Sequence, residues 1–142
     1  MEIDMGMGSG ISGVQQYKRL GLESDVNSAS PHRLIQMLME GGLSKITAAQ
    51  LCIDNNNISG KGENISTAIS IINGLQASLD KEAGGEISEN LNNLYDYMAR
   101  RLLEANIHSD KTILDEVANL LQEIKGAWDA ICPEAIESQQ HG

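Results

Sequence analysis

Apolar residues recur along most of this chain at steps of three and four, the spacing that lines one face of an α-helix. Ile35, Met39, Gly42, Ile46, Ala49 and Ile53 step 4, 3, 4, 3, 4. Ser30-Pro31 ahead of them joins a good N-cap to the residue favoured at the first helical position, and Asn55-Asn56-Asn57 breaks the pattern. This predicts a helix over about 31–54. A second seam of Ile58, Ile65, Ala68, Ile72, Leu75 and Leu79, widened by Ile69 and Ile71, predicts a helix over 58–80. Residues 80–85, with Gly84-Gly85, read as a turn. Ile87, Leu91, Leu94, Met98 and Ala105, flanked by Tyr95 and Leu102, then predict a helix over 86–107. The last, over 110–131 and capped by Ser109 or Asp110, runs on Ile113, Val117, Leu120, Ile124, Ala127 and Ile131. Leu114, Leu121 and Trp128 broaden it, and Pro133 ends it.

No useful stretch alternates with period two, so no sheet is expected. The predicted fold is all-α, an antiparallel four-helix bundle occupying 14–132 as a single domain. Ahead of it, residues 1–13 are a glycine- and methionine-rich tail. Residues 14–22 put Val14, Tyr17 and Leu20 at i, i+3, i+6, a short helical segment too short to be stable alone. Residues 133–142 form a polar tail. One anomaly stands in the first helix. Its apolar surface is wide, and Gly41-Gly42 sits in mid-helix, where each glycine costs about 1 kcal/mol relative to alanine. Small residues there would let another helix approach closely.

The chain's 142 residues suit one domain. With three Tyr, one Trp and no Phe, the core must be aliphatic. A net charge of −10 argues against nucleic acid or an anionic membrane as partner, because both need a basic face. Neither a signal peptide nor a run of ~18 apolar residues is present, so a cytoplasmic protein without membrane insertion is expected. Cys52 and Cys132 lack CxxC spacing and are expected as free thiols.

Catalysis finds little to work with. Glu104 and His108 are the nearest approach to a di-iron Glu-x-x-His motif, but their spacing is i, i+4 at a helix end, so no metal site is expected. Gly60-Lys61-Gly62 lacks the rest of a phosphate loop and follows no strand. A phospho-accepting histidine on a bundle should project from mid-helix. His32 instead follows Pro31 in a first turn and is expected to be exposed, without buried contacts. No enzyme and no cofactor are expected; a phosphotransfer protein using His32 or a plain helical dimerisation module are the alternative classes. An apolar segment tethered to an apolar-faced bundle points to a lid or a docking tag. The candidate partner-binding residues are Val14, Tyr17, Leu20, Met39, Gly42, Leu43, Tyr95 and Tyr97.

The stretches "YKRLGLES", "SASPHRLIQMLMEGG", "KGENISTAISIINGL", "SLDKEAGGEISENLNNLYDYMARRLLEANI" and "LDEVANLLQEIKGAWDAI", in that order, resemble the flagellar secretion chaperone family, FliS. "ASPHRLIQML", "LYDYMARRLLEAN" and "AWDAI" are the most specific pieces. The resemblance implies a cytoplasmic helical bundle, a monomer or weak homodimer when free. It implies binding of the C-terminal segment of flagellin, which is disordered when free, blocking early polymerisation. Delivery to the gate of the flagellar type III export apparatus would follow. In the family the N-terminal tyrosine segment is linked to covering part of the flagellin site and to docking on the gate, roles that would fall here to Val14 and Tyr17. "MEGGL" departs from the aromatic and "DGA" more usual in the first helix, so the surface beside Met39 to Leu43 is expected to differ in shape.

Overall fold

The structure, a computed structural model, describes residues 29–131 except the side chains of 81 and 82. Four helices make up nearly all of this stretch: α1 (Pro31–Asp54), α2 (Ile58–Ala77), α3 (Lys81–His108) and α4 (Lys111–Asp129). Each begins with a side-chain cap. Ser30 Oγ accepts from the Arg33 amide at 3.1 Å, and Asn57, Asp80 and Asp110 accept from the amides of Gly60, Ala83 and Thr112. Such caps satisfy amides that have no partner inside the helix.

Helix α1 covers the predicted span. Helix α2 stops at Ala77 instead of 80, with Ser78 as its C-cap and the Ser78 hydroxyl donating to the Leu75 carbonyl at 2.7 Å. Helix α4 runs over Lys111–Asp129 where 110–131 was expected, since Asp110 is the cap and the helix ends short of Ile131. The largest difference is in α3, which begins at Lys81 and not at 86. Asp80 caps a first helical turn, and the chain then kinks at Gly85 (φ 55°, ψ −126°), a positive φ that glycine adopts without steric cost. The expected turn over 80–85 is therefore a capped turn of helix followed by a glycine kink. At its far end α3 stops on Ser109 in the left-handed region, and the Asp110 amide returns to the Ala105 carbonyl at 3.1 Å.

The helices close a ring in which α1 packs on α2, α2 on α3, α3 on α4 and α4 back on α1. Opposite ends meet throughout, so neighbours are antiparallel. Lys111 Nζ at the start of α4 reaches Asp54 at the end of α1 (2.8 Å), and Lys61 near the start of α2 reaches Asn106 O in the last turn of α3 (2.9 Å). The core is aliphatic apart from Tyr95, with Met39, Ile46, Ile65, Ile72, Met98, Leu102, Leu114 and Leu121 all sealed from solvent.

The predicted seams need correcting where a helix passes its last packed turn. Ile58 opens α2 and is 75% exposed; Ile87 in the first turns of α3 is 72% exposed. Tyr95 and Leu102, expected at the flank of α3, stand at its centre with Met98 and Ala105. On α4 the centre is Ile113, Leu114, Val117 and Leu121, while Leu120 and Ile124 are half-buried and Ala127 is exposed. In a four-helix ring the core line of each helix points between its two neighbours. A heptad count fixes the wide apolar sector but not that line within it.

Two residues explain how close the helices come. A β-carbon on Gly42 would stand 3.0 Å from Leu121 Cδ2 of α4 and 3.5 Å from Ile71 Cγ2 of α2, so the glycine lets three helices converge. Lys61 is buried and donates to Asn106 O and, at 2.6 Å, to Ser109 Oγ. Its ammonium thus sits on the carbonyl end of α3, where the helix dipole favours a positive charge.

Candidate partner-binding groove

The α3/α4 edge is held by polar contacts at one end and lined by partly exposed apolar side chains toward the other. Near the middle of α3, Tyr97 Oη donates to Glu116 Oε2 in a short hydrogen bond, and Arg101 Nε donates to Glu116 Oε1 at 2.9 Å. Arg101 also reaches Glu104 at 2.6 Å. The Tyr97 hydroxyl, and then Arg101, hold the Glu116 carboxyl below the usual carboxylate range, and the same bond to Glu116 raises Tyr97.

From that lock, the antiparallel register carries α3 toward its start as α4 runs to its end. Leu94 comes level with Leu120, Leu91 with Ile124, and Ile87 with the last turn of α4. None of these five side chains is fully buried. Leu91, Leu94, Leu120 and Ile124 pack on the core with one side while staying partly exposed, Ile87 is largely exposed, and Ile131 just past α4 is 40% exposed. The result is an apolar strip between two helices. Partly exposed apolar side chains on two neighbouring helices suit an amphipathic helix laid along them. Among the described residues no cluster of His, Cys, Asp and Glu could hold a metal ion.

The end of this strip meets the start of α1. His32 and Trp128 stack with ring centroids 5.0 Å apart and planes 13° from parallel. Trp128 Nε1 donates to His32 O at 3.0 Å, and His32 Nε2 lies 2.9 Å from Trp128 O. The expectation that His32 would be exposed and without buried contacts is thus overturned: it is 6% exposed, because the first turn of α1 is pressed onto the last turn of α4. A phosphodonor would find its Nε2 already engaged. One further bond sews the same edge, from Gln36 Nε2 to Asp129 Oδ1 at 2.8 Å, while within α4 Lys125 Nζ reaches Asp129 Oδ2 at 2.7 Å and holds the Asp129 carboxyl below its usual range. The described chain enters the bundle at this end, at Ala29.

The residues singled out in the sequence fall in three places. Val14, Tyr17 and Leu20 lie outside the described residues. Met39 (1% exposed) and Tyr95 (3%) are in the core, where burial pushes the Tyr95 hydroxyl up to about 12, and Gly42 faces Leu121 and Ile71. Leu43 is half-buried on α1, and Tyr97 half-buried at the α3/α4 lock. Only Tyr97 borders the strip. The strip residues were all within predicted seams, but nothing in the spacing separates a seam position that a neighbouring helix covers from one left open. Cys52, half-buried, carries no disulfide. Cys132 lies outside the described residues.

Comparisons with known proteins bear on this geometry. The profile of the family described as "Flagellar protein FliS" matches residues 13–135. The chain is similar to the flagellar secretion chaperone FliS of Salmonella typhimurium, 50% identical over 125 residues covering 87% of this chain and 93% of that protein. It is 48% identical to the flagellar secretion chaperone FliSB of Pseudomonas aeruginosa over 83% of this chain and 94% of that protein. The FliS chaperone of Bacillus subtilis matches at 36% over 83% and 84%.

Proposed function

The chain belongs to the FliS family of flagellar secretion chaperones, a family of non-enzymes, and from that premise we propose that it sequesters the C-terminal segment of flagellin. In this reading the segment is disordered when free and folds as an amphipathic helix along the α3/α4 strip. Its apolar residues are thereby covered and early polymerisation is prevented. The bound pair remains in the cytosol until it docks on the flagellar type III export gate.

The observation that carries the reading is the open half of the α3/α4 edge, with Ile87, Leu91, Leu94, Leu120, Ile124 and Ile131 on it. A family role in holding a secretion cargo calls for such an unpaired apolar surface. The energetics also suit a cargo that must later leave. Ordering the segment costs several kcal/mol, which apolar burial has to offset, so the net affinity is lower than the contact area alone would give.

The segment with Val14, Tyr17 and Leu20 is the proposed competitor for the same strip. Those residues stand 9 to 15 positions ahead of Ala29, a tether that spans at most about 3.5 Å per residue and so easily reaches the nearby strip. Flagellin must then displace it, and the freed Tyr17 is offered to the gate. Calorimetric titration with a fragment ending at the native flagellin C-terminus tests this. Ile124→Glu should weaken binding about tenfold or more, which is ~1.4 kcal/mol or more. Deleting residues 1–22 should preserve or tighten it by removing an intramolecular competitor. Unchanged affinity in Ile124→Glu, in a variant with native helix content, would remove the strip from the account.

A further inference from the structure

The start of α3 is built unlike the rest of the bundle. Ala83, Gly84 and Gly85 are all exposed, and so are Glu86, Ile87, Glu89 and Asn90. Ser88 alone in this run is buried, at 4% exposure, two helical turns ahead of the buried Tyr95. Its Oγ is the one buried side-chain polar atom without a hydrogen-bond partner among the described residues. Gly84 lies directly against it. A β-carbon on Gly84 would stand 2.6 Å from Ser88 Cβ and 3.3 Å from Ser88 Oγ, whereas β-carbons four positions apart in a continuous helix are about 5–6 Å apart. The kink at Gly85 therefore folds the turn 81–84 back onto Ser88, and a side chain at 84 would not fit there without a shift. Little else holds that turn down. The Gly84 amide donates to Asp80 O at 2.8 Å and the Ala83 amide to Asp80 Oδ1 at 3.1 Å.

We propose that residues 81–84 form a lid, hinged at Gly85, that covers the Ser88 hydroxyl in the free chain and lifts to release it. The covered state buries a hydroxyl with no partner, a cost that water or another polar group removes once the lid is up. Against that cost stand the two bonds to Asp80, and the turn carries few buried apolar contacts of its own, the condition for local opening without the core. The motion has fixed ends. Leu79 packs on the core before the lid and Leu91 after it, so only the residues between them need to move. Gly85 supplies the pivot, because its φ of 55° is a conformation that glycine enters and leaves without steric cost. Lifting the lid uncovers Ser88 beside Ile87, the first residue of the α3/α4 strip. It adds to that end of the strip a hydroxyl that can both donate to and accept from the backbone of an incoming segment. This use by cargo rests on the flagellin reading; the lid itself does not.

Amide hydrogen exchange on the full chain, followed by NMR, tests it, since the Ala83 and Gly84 amides lose their bonds to Asp80 when the lid lifts. In the free chain Ser88→Ala should slow exchange at both amides severalfold, because a methyl group is buried without needing a partner. Gly85→Ala should speed it about tenfold, the factor by which a left-handed backbone disfavours a residue with a β-carbon. Gly84→Ala should also speed exchange at Ala83, while the Tyr95 and Met98 amides keep their rates in all three variants. Adding the flagellin C-terminal fragment should slow the Leu91 and Leu94 amides and speed those of Ala83 and Gly84. Gly85→Ala should tighten fragment binding and Ser88→Ala weaken it, opposite signs that a general loss of stability would not give. Exchange at Ala83 and Gly84 indifferent to Ser88→Ala, or slowed by Gly85→Ala, would overturn the lid. So would a bound fragment that slows these two amides along with Leu91 and Leu94. A fragment that binds neither the wild type nor Gly85→Ala would overturn the flagellin reading alone, with the free-chain exchange still deciding the lid.

Discussion

Gly42 and Gly62 offer one substitution in two surroundings, and the account gives them opposite signs. Both lie inside helices, where replacing glycine by alanine gains up to about 1 kcal/mol of helix propensity. At Gly62 a new β-carbon meets nothing within 4 Å, so Gly62→Ala should keep that gain; Gly126, equally open on α4, provides a second case. At Gly42 the same carbon lands 3.0 Å from Leu121 Cδ2 and 3.5 Å from Ile71 Cγ2. Leu121 and Ile71 are themselves sealed in the core, so neither can swing out into solvent to make room. Overpacking of this kind costs typically 1–3 kcal/mol, which cancels or outweighs the propensity term. Gly42→Ala should therefore be neutral to about 2 kcal/mol destabilised, and the two variants should differ by roughly 1–3 kcal/mol. Urea unfolding at low protein concentration reads this directly, and a thermal melt should separate them by about 4 °C per kcal/mol. If Gly42→Ala were stabilised as much as Gly62→Ala, Gly42 would not be what lets α1, α2 and α4 converge.

Further outcomes follow from other contacts. Lys61→Met strips Asn106 O and Ser109 Oγ of their buried donor and should cost about 1–3 kcal/mol in the same unfolding assay, whereas Lys45→Met, which breaks no such contact, should be near neutral. Glu116 has its folded pKa depressed by Tyr97 and Arg101, so its contribution is present above the ordinary carboxylate value of about 4.3 and is lost as pH falls through the folded value. The wild type should thus lose stability between about pH 5 and pH 3 more steeply than Glu116→Gln, and parallel pH profiles would refute the assignment. Tyr17→Ala should weaken capture by the export-gate cytoplasmic domain in a pull-down while leaving flagellin affinity intact; equal loss of both would recast Tyr17 as part of the bundle.

The caps, the helix count and the aliphatic core were legible in the sequence because they rest on local rules. Ser30-Pro31 and the asparagine run bound α1, and periods of three and four mark every helix. What could not be read was tertiary. His32 looked like a solvated first-turn residue because its partner, Trp128, is 96 positions away. Met39 and Tyr95 looked available because a broad apolar sector does not reveal which line faces the centre of a ring. Ile87 and Ile58 looked like core because a seam continues in sequence past the point where its packing neighbour ends. The same blindness hid the α3/α4 strip. Its residues were all predicted to be apolar-faced, and only the ring closure, locked at Glu116 and open beyond it, distinguishes them. The fold of α3 near Gly85 was missed for a local reason: two adjacent glycines read as a turn, although Asp80 caps a turn of helix before the kink.

The central claim is that flagellin lies on the open half of the α3/α4 edge. Methyl-labelled NMR on isoleucine and leucine, titrated with the flagellin C-terminal fragment, tests it most directly. The account expects the resonances of Ile87, Leu91, Leu94, Leu120, Ile124 and Ile131 to shift on binding, with those of Ile58, Leu103 and Ile107 unchanged. Shifts confined to Ile58, Leu103 and Ile107, with the strip silent, would contradict it.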